Sequence, residues 1–419
     1  MPSTAARIAV RERRASADSP LMTPAERRAT SGLATIYGLR MLGMFIILPV
    51  FAIHAETLPG GGDHTLVGIA LGAYALTQAA LQVPFGWASD RFGRKPAIVA
   101  GLIVFALGSF VAAWASDIYW TIVGRAIQGA GAISAAVIAL TADLTRDEVR
   151  TKAMAAIGMT IGGTFALSLV AGPLLRNAIG VPGIFALTGV LALGAIAVVW
   201  RLVPEAAQRS ATLREGALRA FRRVLADREL ARLNYGIFAL HAVLMTLFVQ
   251  LPFELRDAGL PVESHWSVYL PVLLASIVFL WPALRNADRS ELRKPIFIGA
   301  VFVLVIAEIV LSLAGARLVA LVVGLVAFFT AFNLLEAVLP SLVSKFAPSA
   351  LRGTAVGLYS SVQFLGTFAG AAVGGALAQH VGPSAVFLFG LALSGVWLLA
   401  AVTMGSPPAY HSNPSLGET

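Results

Sequence analysis

Residues 86–96 read Gly86-Trp87-Ala88-Ser89-Asp90-Arg91-Phe92-Gly93-Arg94-Lys95-Pro96. This short charged stretch joins two apolar runs, at roughly 66–89 and 96–115. Each run is long enough to cross a hydrocarbon core, which takes about 20 residues. Gly93 supplies the freedom for a tight reversal, so the segment reads as the turn of a membrane hairpin. Working outward, runs at 32–54, 118–143, 153–175 and 180–203 complete a set of six. After a polar stretch, six more stand at 233–255, 266–285, 295–314, 317–343, 350–379 and 384–404. The expectation is an all-α membrane protein of twelve transmembrane helices. Composition agrees: 58% of the 419 residues are apolar and 13% charged, against about 45–50% and 25% in soluble domains.

Lys and Arg orient the spans, because they gather on the cytoplasmic side. With the N-terminus inside, 26 of the 31 fall on cytoplasmic segments and three, Arg176, Arg256 and Arg317, on outer loops. The remaining two, Arg40 and Arg125, lie within spans. Both termini are therefore expected inside a bacterial-type inner membrane. The same count explains the net charge of +9 without nucleic acid as a partner.

The expected divisions are a disordered basic tail (1–31), a six-helix bundle (32–203), a cytoplasmic linker (204–231), a second bundle (232–404) and a tail (405–419). In the linker, Leu213, Leu218, Phe221, Val224 and Leu225 alternate with Arg214, Arg219, Arg222 and Arg223. That pattern reads as an amphipathic helix on the anionic inner leaflet, or as a solvated linker with some helix.

The two bundles echo each other. Asp288-Arg289, followed by Arg293-Lys294-Pro295, repeats the hairpin after the eighth span, and Arg150 and Arg352 each follow the fourth span of a half. Two pseudo-symmetric six-helix units are a mark of secondary carriers.

The pattern Gly86-x-x-x-Asp90-Arg91-x-Gly93-Arg94-Lys95-Pro96 resembles the cytoplasmic signature of the major facilitator superfamily. Arg125-Ala-Ile-Gln128-Gly129-Ala-Gly131 in span four is similar to a motif of its drug:proton antiporter branch. In span five Ala171-Gly172-Pro173 matches that branch, but Arg176-Asn177 replaces the expected glycines. Stretches from Arg40 to Pro49, Asp143 to Met154 and Ala331 to Pro340 look like the YajR-type carriers. The tail after Met404 is too short for the soluble domain that members of that group can carry.

This resemblance implies a conformational latch of Gly86, Asp90, Arg91, Gly93, Arg94 and Asp143. Asp90 would cap the start of span eleven, near residues 350–354, and Arg94 would pair with Asp143, both stabilising the outward-facing state. The simpler reading is a positive loop that only fixes topology. Arg125 matches the family residue linked to proton transfer, acting on a nearby acid. Arg125 and Arg40 are charges at depth, which cost at least about 2.5–3.5 kcal/mol at the bilayer centre unless partnered. The other reading makes them structural.

The titratable candidates for proton coupling are Glu336, His241 and Glu308. Glu308 lies on a helix expected to face lipid, as a packing or snorkelling group. Tyr74, Gln78 and Gln82, four apart on one helix face, either line the solute path or bond between helices. Tyr37, Gln128, Asn333 and Gln363 are further cavity candidates. Gly158-x-x-x-Gly162 and Gly366-x-x-x-Gly370-x-x-x-Gly374 read as close-packing stripes.

Enzyme chemistry finds no foothold. The sequence has no Cys and no P-loop, zinc-protease or nucleophile-elbow motif. No cofactor or metal is expected. The partners expected are protons, a small solute and the bilayer, around a monomer. The expectation is proton-coupled efflux of small amphipathic solutes. A symporter or facilitator importing a metabolite, and a sensor that no longer transports, are the alternatives.

Overall fold

The computed structural model describes residues 21–205, 217–286, 290–348 and 351–405. All regular structure among these residues is helical. The first helix, α1 (Pro24–Phe45), starts where polar chemistry stops the fraying. Thr23 accepts from the Glu26 amide at 3.2 Å, and Glu26 accepts from the Thr23 amide at 2.8 Å. This reciprocal cap satisfies two amides that would otherwise be orphaned. The helix therefore begins at Pro24 rather than 32, and residues 24–31 are helical rather than tail. Glu26 also accepts from Arg146 at 2.9 Å, tying the helix start to the loop after span four. Residues 1–20 lie outside the described residues.

Two spans are interrupted within the membrane. Span one is α1 plus α2 (Leu48–Ala55), with Ile46 and Ile47 between them and Pro49 in the first turn of α2. Span two is α3 (His64–Phe92) and span three α4 (Arg94–Ala113). Span four is α5 (Ile118–Ala130) and α6 (Ser134–Leu144), separated by an unwound Gly131-Ala132-Ile133. Spans five and six make up α7 (Asp147–Leu202), which reverses at Gly180, where φ is 68°. Only glycine takes that conformation readily.

The linker holds α8 (Ala217–Ala226), which buries Val224 and exposes Phe221, Leu225 and its arginines. Leu213 and Arg214 fall outside the described residues. The second half comprises α9 (Arg228–Asp257), α10 (Trp266–Asn286), α11 (Ser290–Ala314), α12 (Leu318–Phe346), α13 (Arg352–His380) and α14 (Pro383–Val402). Eleven helical stretches are long and apolar enough to cross a membrane. The turn at Gly180 divides the longest in two, so the chain makes twelve spans.

The duplication is visible in detail. Arg150 folds back to the Ala142 carbonyl at 3.2 Å, and Arg352 to the Ser344 carbonyl at 3.1 Å, each eight residues earlier. Both arginines cover carbonyls left free at a helix C-terminus. The second copy of the hairpin turn, residues 287–289, lies outside the described residues.

At the end opposite the basic loops, the halves touch. Arg256 grips Glu56 at 2.6 and 3.3 Å, and Arg176 meets Glu263 at 2.7 Å. The His64 amide donates to Gln379 at 2.9 Å. There α3 lies so close to α13 that a Cβ on Gly68 would strike the Ala371 carbonyl. Asp63 caps α3 at this end. Burial opposes its ionisation, but bonds from the Thr65 and Leu66 amides outweigh that and hold its pKa below the usual value.

Beneath this closure lies an aromatic layer. Phe165 of the first half stands 6.4 Å from Phe248, 6.0 Å from Phe329 and 6.0 Å from Phe332 of the second. At the basic end the halves part: Gly353 and Gly357 of α13 face open space, and Val83 of α3 is exposed. With the basic end cytoplasmic, as the Lys and Arg count assigns it, the described parts of the two halves stand apart on the inner side, an inward-open arrangement.

Two expectations are corrected here. Gly366, Gly370 and Gly374 do pack closely, against Phe238, Ala242 and Thr246 of α9, but Gly158 and Gly162 face open space. Glu308 neither faces lipid nor snorkels. It is 1% exposed, packed against Gly390 of α14, and both carboxyl oxygens lack a hydrogen-bond partner. Helices α11 and α14 enclose it within the second half.

Candidate functional site

Three polar constellations interrupt the apolar packing. The first is the hairpin of residues 86–96. Gly93 takes φ 102° between α3 and α4, a turn that other residues resist. The turn brings Arg94 onto Asp143 at 3.2 Å, onto Ser89 at 2.8 Å and into an ion pair with Asp90. Ser89 in turn donates to the Gly86 carbonyl at 2.8 Å. Arg91 lies over the rings of Trp87 and Phe92, and Lys95 over Trp200. All of these contacts are within the first half. Asp90 is 45% exposed at its side chain, and Leu351, at the cap of α13, makes no side-chain cap bond. The Arg94–Asp143 pair is therefore formed while Asp90 has no contact with the second half among the described residues. Residues 349 and 350 lie outside the described residues.

The second constellation is buried inside the first half, where α1, α3, α5 and α6 meet. Arg40 donates to Gln78 and, at 3.2 Å, to Ser134. Gln78 passes the chain on to Gln82 at 3.0 Å. Arg125 donates to Gln128 at 2.8 Å, and Gln128 to Ser109 at 2.7 Å. Between the arginines lies the Tyr74 ring, 5.5 Å from one guanidinium carbon and 4.9 Å from the other. Such contacts ease a desolvated cation by up to about 2 kcal/mol or more but neutralise no charge. Tyr74, Gln78, Gln82 and Gln128 do share an environment, but in this state they are sealed within the bundle. No ion pair forms at either arginine among the described residues, so the acid expected beside Arg125 is not its neighbour. Ser134 and Ser109 escaped sequence reading because small hydroxyls carry no spacing signal.

The third lies in the second half beside the aromatic layer, with Phe332 5.8 Å from the His241 ring. His241 of α9, Glu336 of α12 and Gln363 of α13 converge. Gln363 donates to Nε2 of His241 at 2.8 Å and to Glu336 at 3.4 Å, while Glu336 lies 3.8 Å from His241. Nδ1 of His241 faces the Ile237 carbonyl at 3.3 Å. That carbonyl only accepts, so Nδ1 carries the proton and Nε2 is free to accept from Gln363. Glu336 is 35% exposed at its side chain, while its Oε2 is buried without a hydrogen-bond partner. Asn333, one turn away, turns to Ser276 of α10 at 3.2 Å. Tyr37 is buried on α1 and is not brought to this group by any contact among the described residues.

With this geometry in view, the similarities to known proteins are specific. The chain matches the Major Facilitator Superfamily over residues 33–371 and 287–419. It belongs to that superfamily. It is 47% identical over 392 residues to the inner membrane transport protein YajR of Escherichia coli strain K12, covering 93% of this chain and 86% of that one. The multidrug resistance protein MdtH of Aeromonas salmonicida strain A449 is 26% identical, over 90% of this chain and 94% of its own. Among solved structures, the D-xylose-proton symporter superposes with a TM-score of 0.72 at 17% identity, covering 90% of this chain and 98% of that chain. The structural likeness concerns the fold alone. The protein is thus a superfamily secondary transporter of the inner membrane, moving a small solute, and not an enzyme.

Proposed function

We propose that the protein is a proton-coupled exporter of small amphipathic solutes, working by alternating access. The observation that carries this reading is the convergence of His241, Glu336 and Gln363 from three helices, beside the aromatic layer where the halves meet. Glu336 is the proton carrier. A neutral carboxyl tolerates the closed, dehydrated interface, whereas a carboxylate needs water or a cation. Protonation therefore favours one access state over the other by differential affinity. The adjoining aromatic layer offers apolar surface beside polar donors, which suits an amphipathic solute. The name of the MdtH relative is in keeping with export.

Asp90 completes the cycle. In the outward-facing state it caps the start of α13, where a helix N-terminus favours negative charge, while Arg94–Asp143 holds the hairpin in shape. The exposed basic and apolar face of α8 rests on the anionic inner leaflet. The unit of function is a monomer.

The test uses protein reconstituted in liposomes loaded with a pH-sensitive dye and challenged with a panel of amphipathic solutes. Export by antiport moves protons opposite to solute, and Glu336→Gln abolishes that movement. Protons moving with the solute would replace export by symport. Solute binding with no flux of either would replace it by a sensor.

A further inference from the structure

We infer that Arg40, Tyr74, Arg125 and the start of α6 form a binding site for a negatively charged group, so that the transported solute is a small organic anion. This rests on the reading of the protein as a carrier and names the class of its cargo.

The first argument is charge. Arg40 and Arg125 are each 1% exposed, yet neither has a carboxylate partner among the described residues. Every Asp and Glu of the six spans in this half sits at a span end, away from the middle. Amides, hydroxyls and one aromatic ring solvate the guanidiniums but leave two positive charges uncompensated. Buried charges are normally paired.

The second is unused bonding capacity. Nε of Arg40, Nε of Arg125 and the hydroxyl of Tyr74 are all buried without a partner. Arg125 spends one further amino group on the Leu71 carbonyl at a long 3.5 Å. Donors left empty at this depth cost free energy unless something fills them in another state.

The third is the broken span. Helix α6 begins inside the membrane with no side-chain cap, and its first bond runs from the Val137 amide to the Ile133 carbonyl at 2.9 Å. The amides of Ser134, Ala135 and Ala136 precede that bond. An interrupted helix whose positive end points into a carrier's core is a recurring anion site. Here Arg40 is bonded to Ser134, the first residue of that helix, at 3.2 Å. Gly129, packed against the Tyr74 carbonyl, brings α5 near enough to α3 for Arg125 to reach the same ring.

A cationic solute would be repelled by this arrangement, and a neutral one would leave it uncompensated. The proton group, His241–Glu336–Gln363, belongs to the other half. The solute's charge and the coupling proton are thus held by opposite halves.

The test titrates full-length protein in nanodiscs with sodium benzoate, benzamide or sodium chloride at matched ionic strength, read as the unfolding midpoint. Benzoate is expected to raise the wild-type midpoint by about 2 °C or more, while benzamide and chloride do not. Arg40→Gln and Arg125→Gln remove the response. Gln78→Glu places a carboxylate beside Arg40, so it should raise the midpoint with no ligand added and abolish the response to benzoate. Glu336→Gln keeps the benzoate response while losing proton movement, so failure of the anion site and failure of the proton reading show in different variants. The inference is overturned if benzoate leaves the wild type unchanged, or if chloride acts equally, which would mark a resident inorganic ion. It is also overturned if the response survives both arginine substitutions, or if Gln78→Glu lowers the midpoint.

Discussion

Breaking the two ion pairs that join the halves at the closed end is expected to shift the protein away from its inward-open state. The perturbation is Arg176→Ala combined with Arg256→Ala, which removes the contacts to Glu263 and Glu56. The side chains are partly exposed, at 23% and 45% for one pair and 41% and 38% for the other. Exposed pairs of this kind contribute about 0.2–1 kcal/mol each, so losing both removes about 0.4–2 kcal/mol. At about 1.4 kcal/mol per factor of ten, the ratio of inward-open to outward-open molecules should fall about two- to thirtyfold. Because the natural chain has no Cys, spin labels placed through Gly62→Cys and Val381→Cys report without background. These positions lie in loops of opposite halves at the closed end, and both are exposed. Pulsed electron-spin distance distributions should show a longer component growing in the double variant, and high salt should reproduce part of that growth in the wild type. If the distributions superimpose, the ion pairs do not hold the halves together, and the α3–α13 packing, the His64–Gln379 bond and the aromatic layer close this end without them.

Three further outcomes are expected. Gly370→Val pushes a side chain into the backbone of Ala242, whose Cα would stand 2.5 Å from the new Cβ; the cost is about 1–3 kcal/mol, read as a lower unfolding midpoint. Asp90→Asn should leave the midpoint within about 0.5 kcal/mol of wild type, because among the described residues Asp90 pairs with Arg94 of its own half alone, yet transport should fall as the outward-facing state loses its cap. Equal transport would remove Asp90 from the cycle. Glu26→Gln weakens both the helix cap and the bond to Arg146 and should cost about 0.5–2 kcal/mol, seen as faster hydrogen exchange over residues 24–30.

What the sequence made legible follows from what is periodic or local. Twelve apolar runs, the hairpin at 86–96 and the duplicated Arg150 and Arg352 needed only length, charge and position. The break at Gly131–Ile133 was not legible, because hydropathy stays flat across it and glycine is common in membrane helices. The interruption before Pro49 was missed as well, because a count of apolar residues passes over a proline. Glu308 was misplaced because one helix's pattern cannot say which neighbours enclose it. His241, Glu336 and Gln363 were each candidates, yet they stand on separate helices, and no spacing rule predicts that they meet. Tyr74 was open to two readings, lining a solute path or bonding between helices, and its part in spanning two arginines required the packing of α1, α3 and α5.

The central claim is that a proton on Glu336 drives the exchange between inward and outward openings. The most direct measurement is the reactivity of two single-cysteine reporters with a water-soluble maleimide, in liposomes, as a function of pH. Gly357→Cys lies on the open end of α13 and Ala371→Cys is buried in its closed end. The account predicts that the two reactivities change with pH in opposite senses in the wild type and stay flat in Glu336→Gln. Reporters that ignore pH in the wild type, or that still respond in Glu336→Gln, would contradict it.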